Sequence, residues 1–548
     1  MLRDHLVSLP PCVVYEDDHL LVMNKPAGWN THAPSAFAGE GLYEWLKHRE
    51  PRWANLAIVH RLDKETSGVM VFGKSPAANR SLTEQFAQRR VHKKYLLLTD
   101  RALPRPDFTA KSKIHRAGER YASGAQGEWA ETRFSVSKRP PRSRSVACAE
   151  SKRARPEGVV PVLVEAEPLT GRTHQIRVHA AEDGFAILGD TLYGGTPWAR
   201  VCLHATELTF RHPITNESRT FHAEPDFETD PRQSVRQAII EPATTDAYRL
   251  IHGASDGWPG WYVERLGEIL LSHGAHELTT DQRRFLETMP DVTGVYHKRL
   301  NRQVRRISAR EASPELVQGS PAPARFVIRE NGVKFESSFS EGYSVGLFLD
   351  QRDNRRRLLT GHVAADFSFR VPGSECRVLN TFAYTCGFSV CAARAGARTT
   401  SLDLSKKYLE WGRRNFALNG LDPARHDFIY GDAFDWLKRL AKKGRAFDVV
   451  ILDPPTFSQS KAGGVFRAAR DYGKLVSAAL AVLKPDGILF VSTNAAEWKP
   501  EDFLSDVEQA VLAARRRIVQ RRYVPQPPDF PVIRAEPAYL KTAWLRVA

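Results

Sequence analysis

No stretch of about 18 consecutive apolar residues occurs in the 548-residue sequence, so no segment is suited to cross a bilayer as a helix. The start, Met1-Leu2-Arg3-Asp4-His5, lacks the apolar segment of a signal peptide. Cysteine is scarce: Cys12, Cys148, Cys202, Cys376, Cys386 and Cys391 are scattered without the spacing of a zinc site or a disulfide framework. These absences predict a cytoplasmic protein with reduced thiols, no metal and no membrane contact. Acidic residues are in deficit, 63 against 79 Lys plus Arg, which leaves a formal charge of +16 and a pI near 9.6. That imbalance favours a polyanionic partner, and nucleic acid is the expected one. The length exceeds what one core organises and suggests about three domains.

From Val13 to about Glu224, short β-type runs such as Leu20-Leu21-Val22-Met23 and Val69-Met70-Val71-Phe72 alternate with turns, which predicts a strand-rich α+β unit. Within it, seven Lys or Arg between Lys138 and Arg155 mark a basic surface loop able to grip phosphates. A break is expected between Asp226 and Ala243, and Gly319-Ser320-Pro321-Ala322-Pro323 reads as a linker. Between them lies a small α+β module with a helix near Thr280 to Thr288. Its cations Lys298, Arg299, Arg302, Arg305, Arg306 and Arg310 point towards RNA. From about Val371 the pattern becomes strand-then-helix, with apolar strands ending at Asn380, Asp403 and Asp453, as in a parallel α/β sheet of Rossmann-like type. The expected domains are residues 1–240, 245–330 and 331–548.

The first candidate site is His60-Arg61-Leu62-Asp63-Lys64-Glu65-Thr66-Ser67-Gly68, which sets the Asp63 carboxylate among cations. Lys93-Lys94-Tyr95 adds an aromatic hydroxyl. Gly171-Arg172-Thr173-His174-Gln175-Ile176-Arg177-Val178-His179 adds Arg177, read here on an alternating strand. A nucleophilic carboxylate must stay ionised in a dry pocket, so a guanidinium partner is expected. A tyrosine can stack on a flipped base. With Val22 to Gly28, Leu169 to His179 and Leu203-His204-Ala205, these segments resemble the RluA-type pseudouridine synthases. The resemblance implies isomerisation of uridine in RNA without metal or cofactor, with Asp63 as catalytic aspartate, Tyr95 as active-site tyrosine, Arg177 paired with Asp63 and Arg61 at the substrate. About a dozen residues precede the first match, so RNA selection is expected to come from elsewhere in the chain.

The second candidate site is a cofactor cradle. Asn380-Thr381-Phe382-Ala383-Tyr384-Thr385-Cys386-Gly387 forms the loop after a first strand, with one glycine where such loops usually have three. Asp403 would bind ribose hydroxyls one βα unit later, and Asp432 would lie near adenine. Helix capping is the competing role for both acids. Tyr248 to Gly260, Gly346-Leu347-Phe348-Leu349-Asp350-Gln351-Arg352 and Asp453-Pro454-Pro455-Thr456-Phe457 resemble large-subunit rRNA methyltransferases that join a β-rich module to a class I domain. The resemblance implies S-adenosylmethionine as methyl donor for this half and 23S rRNA as partner. Cofactor contacts are expected from Asn380, Phe382, Tyr384, Asp403, Asp432 and Arg352. Asp453 is assigned to catalysis, with Pro454, Pro455 and Phe457 at the base.

The resembling family contains cytosine-C5 and guanine-N7 enzymes. Carbon-5 of cytosine is a poor nucleophile and needs a cysteine to add at C6, whereas guanine N7 offers an exposed lone pair. Members resembling the C5 type carry cysteines after the Asp-Pro-Pro motif; here Phe490-Val491-Ser492-Thr493-Asn494 follows, and no cysteine occurs after Cys391. Asp453 to Lys461 and Tyr408-Leu409-Glu410-Trp411 resemble the N7 branch. A bifunctional RNA-modifying enzyme is therefore expected, with guanine N7 favoured. Cytosine-C5 methylation, tRNA as the substrate of the first half, and a ribosome-assembly RNA-binding factor with one inactive site stay open. Cys386 is expected to be a packing residue, and Arg515 to Arg517 with Arg521 and Arg522 a solvated helix face.

Overall fold

The computed structural model describes residues 9–138, 161–300, 313–341, 345–369, 375–459 and 465–548. Most of the basic segment after Ser137, together with Arg302, Arg305, Arg306, Arg310, Ser460 and Lys461, lies outside them. The fold is multi-domain, a strand-rich α+β unit followed by a small module and an α/β sheet. No helix among the described residues is long and apolar enough to cross a membrane.

The N-terminal unit is built on one 11-stranded sheet. Its centre is Leu203–Arg211, antiparallel to His92–Thr99 and parallel to Ser67–Gly73 where His204 meets Ser67. Gly68 sits in this parallel contact with φ +121°, and a Cβ there would come within 2.2 Å of the Ala205 carbonyl oxygen. Only glycine fits. Ser67 Oγ lies 2.8 Å from His204 Nδ1 and accepts from Arg200 Nη2 at 2.7 Å. Two segments 137 residues apart in sequence are thereby locked behind the Asp63 loop.

The module is a five-stranded sheet, Ala247–His252, Trp261–Leu266, Ile269–Gly274, Gly294–Arg299 and Glu315–Gly319 in spatial order. The expected helix spans Thr280–Glu287 and starts on a reciprocal cap between Thr279 and Gln282. The expected 330/331 boundary falls on the turn of a hairpin, Phe326–Glu330 with Val333–Ser337, whose Asn331 and Gly332 both have positive φ. Its inner residues Ile328, Val333 and Phe335 share one buried cluster with the module's Leu271 and the α/β strands' Val378 and Ile451. Nor is 319–323 a free linker, because Ser320 N donates to Thr293 O at 2.8 Å and Ala322 N to Tyr296 Oη at 2.9 Å.

The C-terminal sheet has seven strands in the order Asp427–Tyr430, Arg398–Asp403, Arg377–Thr381, Phe447–Leu452, Leu483–Thr493, Lys541–Val547 and Ile518–Val524. The first five run parallel, and Lys541–Val547 is antiparallel to both its neighbours. Parallel strands need crossover helices, and Gly387–Arg394, Lys406–Leu418, Ala433–Lys442 and Ala468–Leu480 supply them. Asp403 and Asp453 close or follow two central strands on one edge, where such sheets bind ligands.

The expected break at 226–243 instead holds a helix, Pro231–Ile239, that packs on the first unit through Val235, Ala238 and Ile239. Arg236 on it donates to both oxygens of Asp256, at 3.0 and 2.6 Å, and to Asp529 O at 3.0 Å, reaching the other two units at once. A second seam sets Leu42–Arg49 against Arg352–Thr360. Arg356 pairs with Glu50, Arg357 lies 3.8 Å from Glu40, and His362 Nε2 lies 2.8 Å from Lys47 O. Arg356 and Arg357 are buried and matched by acids, as an interior seam requires.

Candidate active sites

The first cleft gathers Asp63, Tyr95, His174, Arg177 and Tyr193. The Asp63 loop is held from below by Lys25, fully buried, whose Nζ donates to Pro26 O, Trp29 O and Lys64 O at 2.9, 2.7 and 3.1 Å. Burial drives that ammonium down to about 7, and three carbonyls saturate its donors. His60 is a structural member of its motif. Its Nε2 accepts from Val71 N at 3.0 Å, its ring stacks on Phe86, and burial lowers it to about 3, so it is neutral.

Arg177 lies on a helix, Gln175–Glu182, not on a strand. Residues 175–180 are all buried, so the alternation seen in the sequence reports burial on every side and does not separate strand from helix. The expected direct pair with Asp63 is corrected too. Arg177 Nε and Nη2 make a two-pronged contact with Asp190 at 2.7 Å each, and Nη1 lies 3.6 Å from Glu65. His174 stands nearest Asp63, with its Nε2 3.9 Å from Oδ2. Arg177 Nη1 lies 3.2 Å from the same Nε2, and arginine can only donate, so Nδ1 carries the imidazole proton and gives it to Tyr193 Oη at 2.8 Å. Burial pushes the Asp63 carboxyl up and Glu65 adds to this, while Arg177 and Lys25, and His174 whenever it is protonated, oppose it. Burial and the Asp63 charge also raise Tyr95, a neutral phenol at neutral pH. Arg61 reaches Thr173 Oγ1 at 3.0 Å on the exposed rim.

In the second cleft, the loop with too few glycines solves its geometry otherwise. Phe382, Tyr384 and Cys386 all take left-handed conformations, at φ 56°, 48° and 63°. Non-glycine residues there cost about 1–3 kcal/mol each and persist where surroundings enforce them. Tyr384 N donates to Asp403 Oδ2 and Ser405 N to Asp403 Oδ1, each at 2.8 Å, and Gly346 N donates to Tyr384 Oη at 3.0 Å. Asp403 thus pins the loop while remaining half-buried at the strand end, its carboxyl raised by burial. Asp432 caps Ala433–Lys442, accepting from Phe434 N at 2.9 Å and Asp435 N at 3.3 Å, and Gly431 N beside it donates to Asp403 O at 3.0 Å. The twisted loop, two acids on one sheet edge and the exposed Phe348 ring against Tyr384 at 5.3 Å fit an adenosine-bearing ligand.

Two expected cofactor residues are turned away. Arg352 places Nη1 and Nη2 on Asp529 at 2.8 and 2.7 Å, in the interior. Asn380 is buried and donates to Ser389 Oγ at 3.0 Å, anchoring the following helix. Cys386 faces backwards as well: a Cβ on Gly412 would lie 2.3 Å from its Sγ, and burial pushes its thiol up to about 12.

Asp453 follows its strand directly. Its Oδ1 accepts from Gln351 Nε2 at 3.2 Å. Burial pushes its carboxyl up to about 6, helped by Asp350 and opposed by Ser492, Arg355 and Gln351. Pro454 is buried, Pro455 exposed, and Phe457 half-buried with the Arg467 guanidinium 5.9 Å from its ring centre. Gln351 and Asp350 were missed as site residues, although both adjoin Arg352 in the quoted motif. Asp350 accepts from Tyr539 Oη at 2.9 Å. The arginines after residue 514 are not a solvated helix face either. Arg516 donates to five carbonyls at 3.0–3.3 Å, and Arg521 and Arg522 lie on Ile518–Val524. No group of three or more His, Cys, Asp or Glu placed to hold a metal occurs among the described residues.

Residues 19–182 match the family model for RNA pseudouridylate synthase, and residues 249–546 match that for S-adenosylmethionine-dependent methyltransferase. A ribosomal RNA large subunit methyltransferase of Deinococcus radiodurans is 36% identical over 324 residues, covering 57% of this chain and 76% of its own length. Ribosomal RNA large subunit methyltransferase I of Klebsiella pneumoniae is 34% identical over 322 residues, covering 58% and 77%. A solved methyltransferase complexed with SAH shares 27% identity at a TM-score of 0.50, covering 62% of this chain and 87% of its own.

Proposed function

We propose that this chain, which belongs to the S-adenosylmethionine-dependent methyltransferase family and carries an RNA pseudouridylate synthase domain ahead of it, isomerises one uridine and methylates one guanine N7 of 23S rRNA. The observation that carries the two-reaction reading is the pair of separate carboxylate sites, one built on Asp63 beside His174 and the other holding Asp403, Asp432 and Asp453 at the carboxyl edge of the parallel sheet. The names of the two relatives support the large ribosomal subunit as substrate, and the surplus of cations supports a large RNA.

In the first cleft Asp63 acts at the ribose of a flipped uridine, by attack at C1′ or proton removal at C2′, and the C1′–N1 bond breaks. The uracil turns and C5 joins C1′ as the Asp63 carboxylate is released from C1′ or, on the other route, as C2′ regains its proton. The proton leaving C5 passes to the Tyr95 oxygen while the neutral phenol gives its own to solvent, and N1, which left C1′ with the bonding pair, takes up a proton in exchange. Arg177, fixed by Asp190, holds positive charge beside Asp63 and donates to the His174 ring that lies between them. Arg61 meets the RNA at the rim.

In the second half S-adenosylmethionine supplies the methyl group. Asp403 would hold its ribose, the Phe382–Tyr384 turn and Asp432 would flank the adenosine, and Asp453 would meet the amino-acid end or the base edge. Phe457 and Pro455 would stack on the target base. Guanine N7 is favoured because no cysteine follows Cys391 in the sequence and Cys386 is buried away from the cleft, whereas N7 needs only positioning. Position-mapped nucleoside mass spectrometry of rRNA and tRNA from a deletion strain carrying wild type, Asp63→Asn or Asp453→Ala tests this. Loss of one pseudouridine and one 7-methylguanosine, each with its own variant, is expected. Loss of 5-methylcytidine would replace the guanine, a tRNA mark would relocate the first target, and no loss would leave an RNA-binding factor.

A further inference from the structure

We infer that Gln351 is a positioning residue for methyl transfer, holding the Asp453 carboxylate as an acceptor in one orientation, and that the direction of its amide is dictated from Trp544. The inference rests on Asp453 facing the methyl donor or the base.

Donor and acceptor polarity fixes each amide in turn. The Trp544 indole N–H can only donate, and it gives its hydrogen to Asn354 Oδ1 at 2.9 Å. That fixes which end of the Asn354 amide is oxygen, so Asn354 Nδ2 donates to Gln351 Oε1 at 2.8 Å and to Thr542 Oγ1 at 3.2 Å. With its oxygen so engaged, Gln351 must turn its NH₂ to the cleft, where it donates to Ser492 Oγ at 2.9 Å and Asp453 Oδ1 at 3.2 Å. No step can be reversed without leaving two donors or two acceptors face to face. Trp544, Thr542 and Ser492 are fully buried, and Gln351 and Asn354 are 3% and 2% exposed, so water cannot replace a lost partner.

The other groups around Asp453 make the amide decisive. Asp350 adds a second negative charge, Arg355 opposes it, the Ser492 hydroxyl favours the ionised form, and Tyr472 faces it from Ala468–Leu480. Arg355 is bound at 2.7 and 2.6 Å to both oxygens of Glu330, which spends much of its charge elsewhere. Gln351 is thus a neutral donor that touches Asp453 while the Asp350 charge repels it.

Two substitutions give opposite signs. Gln351→Leu removes the donor, so Asp453 protonates at higher pH and S-adenosylhomocysteine binding or RNA KM worsens as pH falls from 8 to 6, by about tenfold relative to wild type. Gln351→Glu can donate only while protonated and becomes a third anion as pH rises, so the same quantity worsens from pH 6 to 8. Trp544→Phe, which keeps the packing and deletes the N–H, shifts in the sense of Gln351→Leu but less. The full-length protein is used, with calorimetric S-adenosylhomocysteine affinity and RNA KM each read across pH. Opposite slopes for Leu and Glu in either quantity support the inference, and equal, pH-independent changes or no change overturn it. Loss of methylation in Asp453→Ala tests the underlying function separately.

Discussion

Arg522 Nη2 lies 2.6 Å from His48 Nε2, bridging an edge strand of the C-terminal sheet to the first helix of the N-terminal unit. Arginine only donates, so Nε2 accepts and Nδ1 gives its proton to Glu40 at 2.6 Å. Burial lowers His48, and the neutral ring is consistent with that. Glu40→Gln removes the acid that His48 and Arg357 share. It should cost about 3 kcal/mol at pH 7. Because the seam belongs to both halves, thermal inactivation should lower the midpoints of pseudouridine formation and methyl transfer together. A shift in one activity alone would mean the halves melt independently.

Lys25→Met leaves three buried carbonyls without a donor beneath the Asp63 loop. A loss of about 2–4 kcal/mol is expected in denaturant titration. At a temperature where the variant is folded, pseudouridine formation should fall and methylation persist, as paired assays on one preparation would show.

Cys386→Ser should keep methylation within about twofold, since the thiol packs behind the loop and is no nucleophile. Gly412→Ala should cost about 1–3 kcal/mol, because the new methyl group meets Sγ. Methyl-transfer assays and melting curves on both variants check this pair. Abolished methylation in Cys386→Ser with full folding would revive a covalent cytosine mechanism.

Arg249 donates to Glu264 at 2.8 Å. Burial works against the Glu264 carboxylate, yet Arg249 and His273 hold it down at about 2, against an ordinary 4.5. Its folded value lies below its unfolded one, so its stabilisation is complete above pH 4.5 and is lost as pH falls towards 2. Glu264→Gln should cost about 3 kcal/mol at pH 7 and progressively less at pH 4 and 3. Denaturation midpoints at those pH values measure it, and a constant difference would refute the assignment.

What the sequence made legible was whatever rested on local pattern. Alternating strands, apolar parallel strands ending in acids and the helix from Thr280 all appear in the fold. What escaped it was partnership across distance. Arg177 and Arg352 both stand in the motifs that drew attention, yet their guanidiniums meet Asp190 and Asp529, and nothing near either motif marks those acids. The loop from Phe382 to Cys386 looked weak by glycine count because a glycine count measures the cheap route to positive φ; here three other residues accept the cost. Gln351 was hidden because an amide's role depends on which way it points, and that is set by Trp544, 193 positions later in the sequence.

The helix Arg352–Thr360 begins at Gln351 beside Asp453, and one turn on it is clamped to Glu50 and Glu40 of the other unit. A flexible tether would let each catalytic centre search for its nucleotide alone. This clamp makes the chain a ruler instead. The spacing of the two clefts is set by the fold, so an RNA occupying both must bring its uridine and the base to be methylated to that spacing through its own tertiary structure.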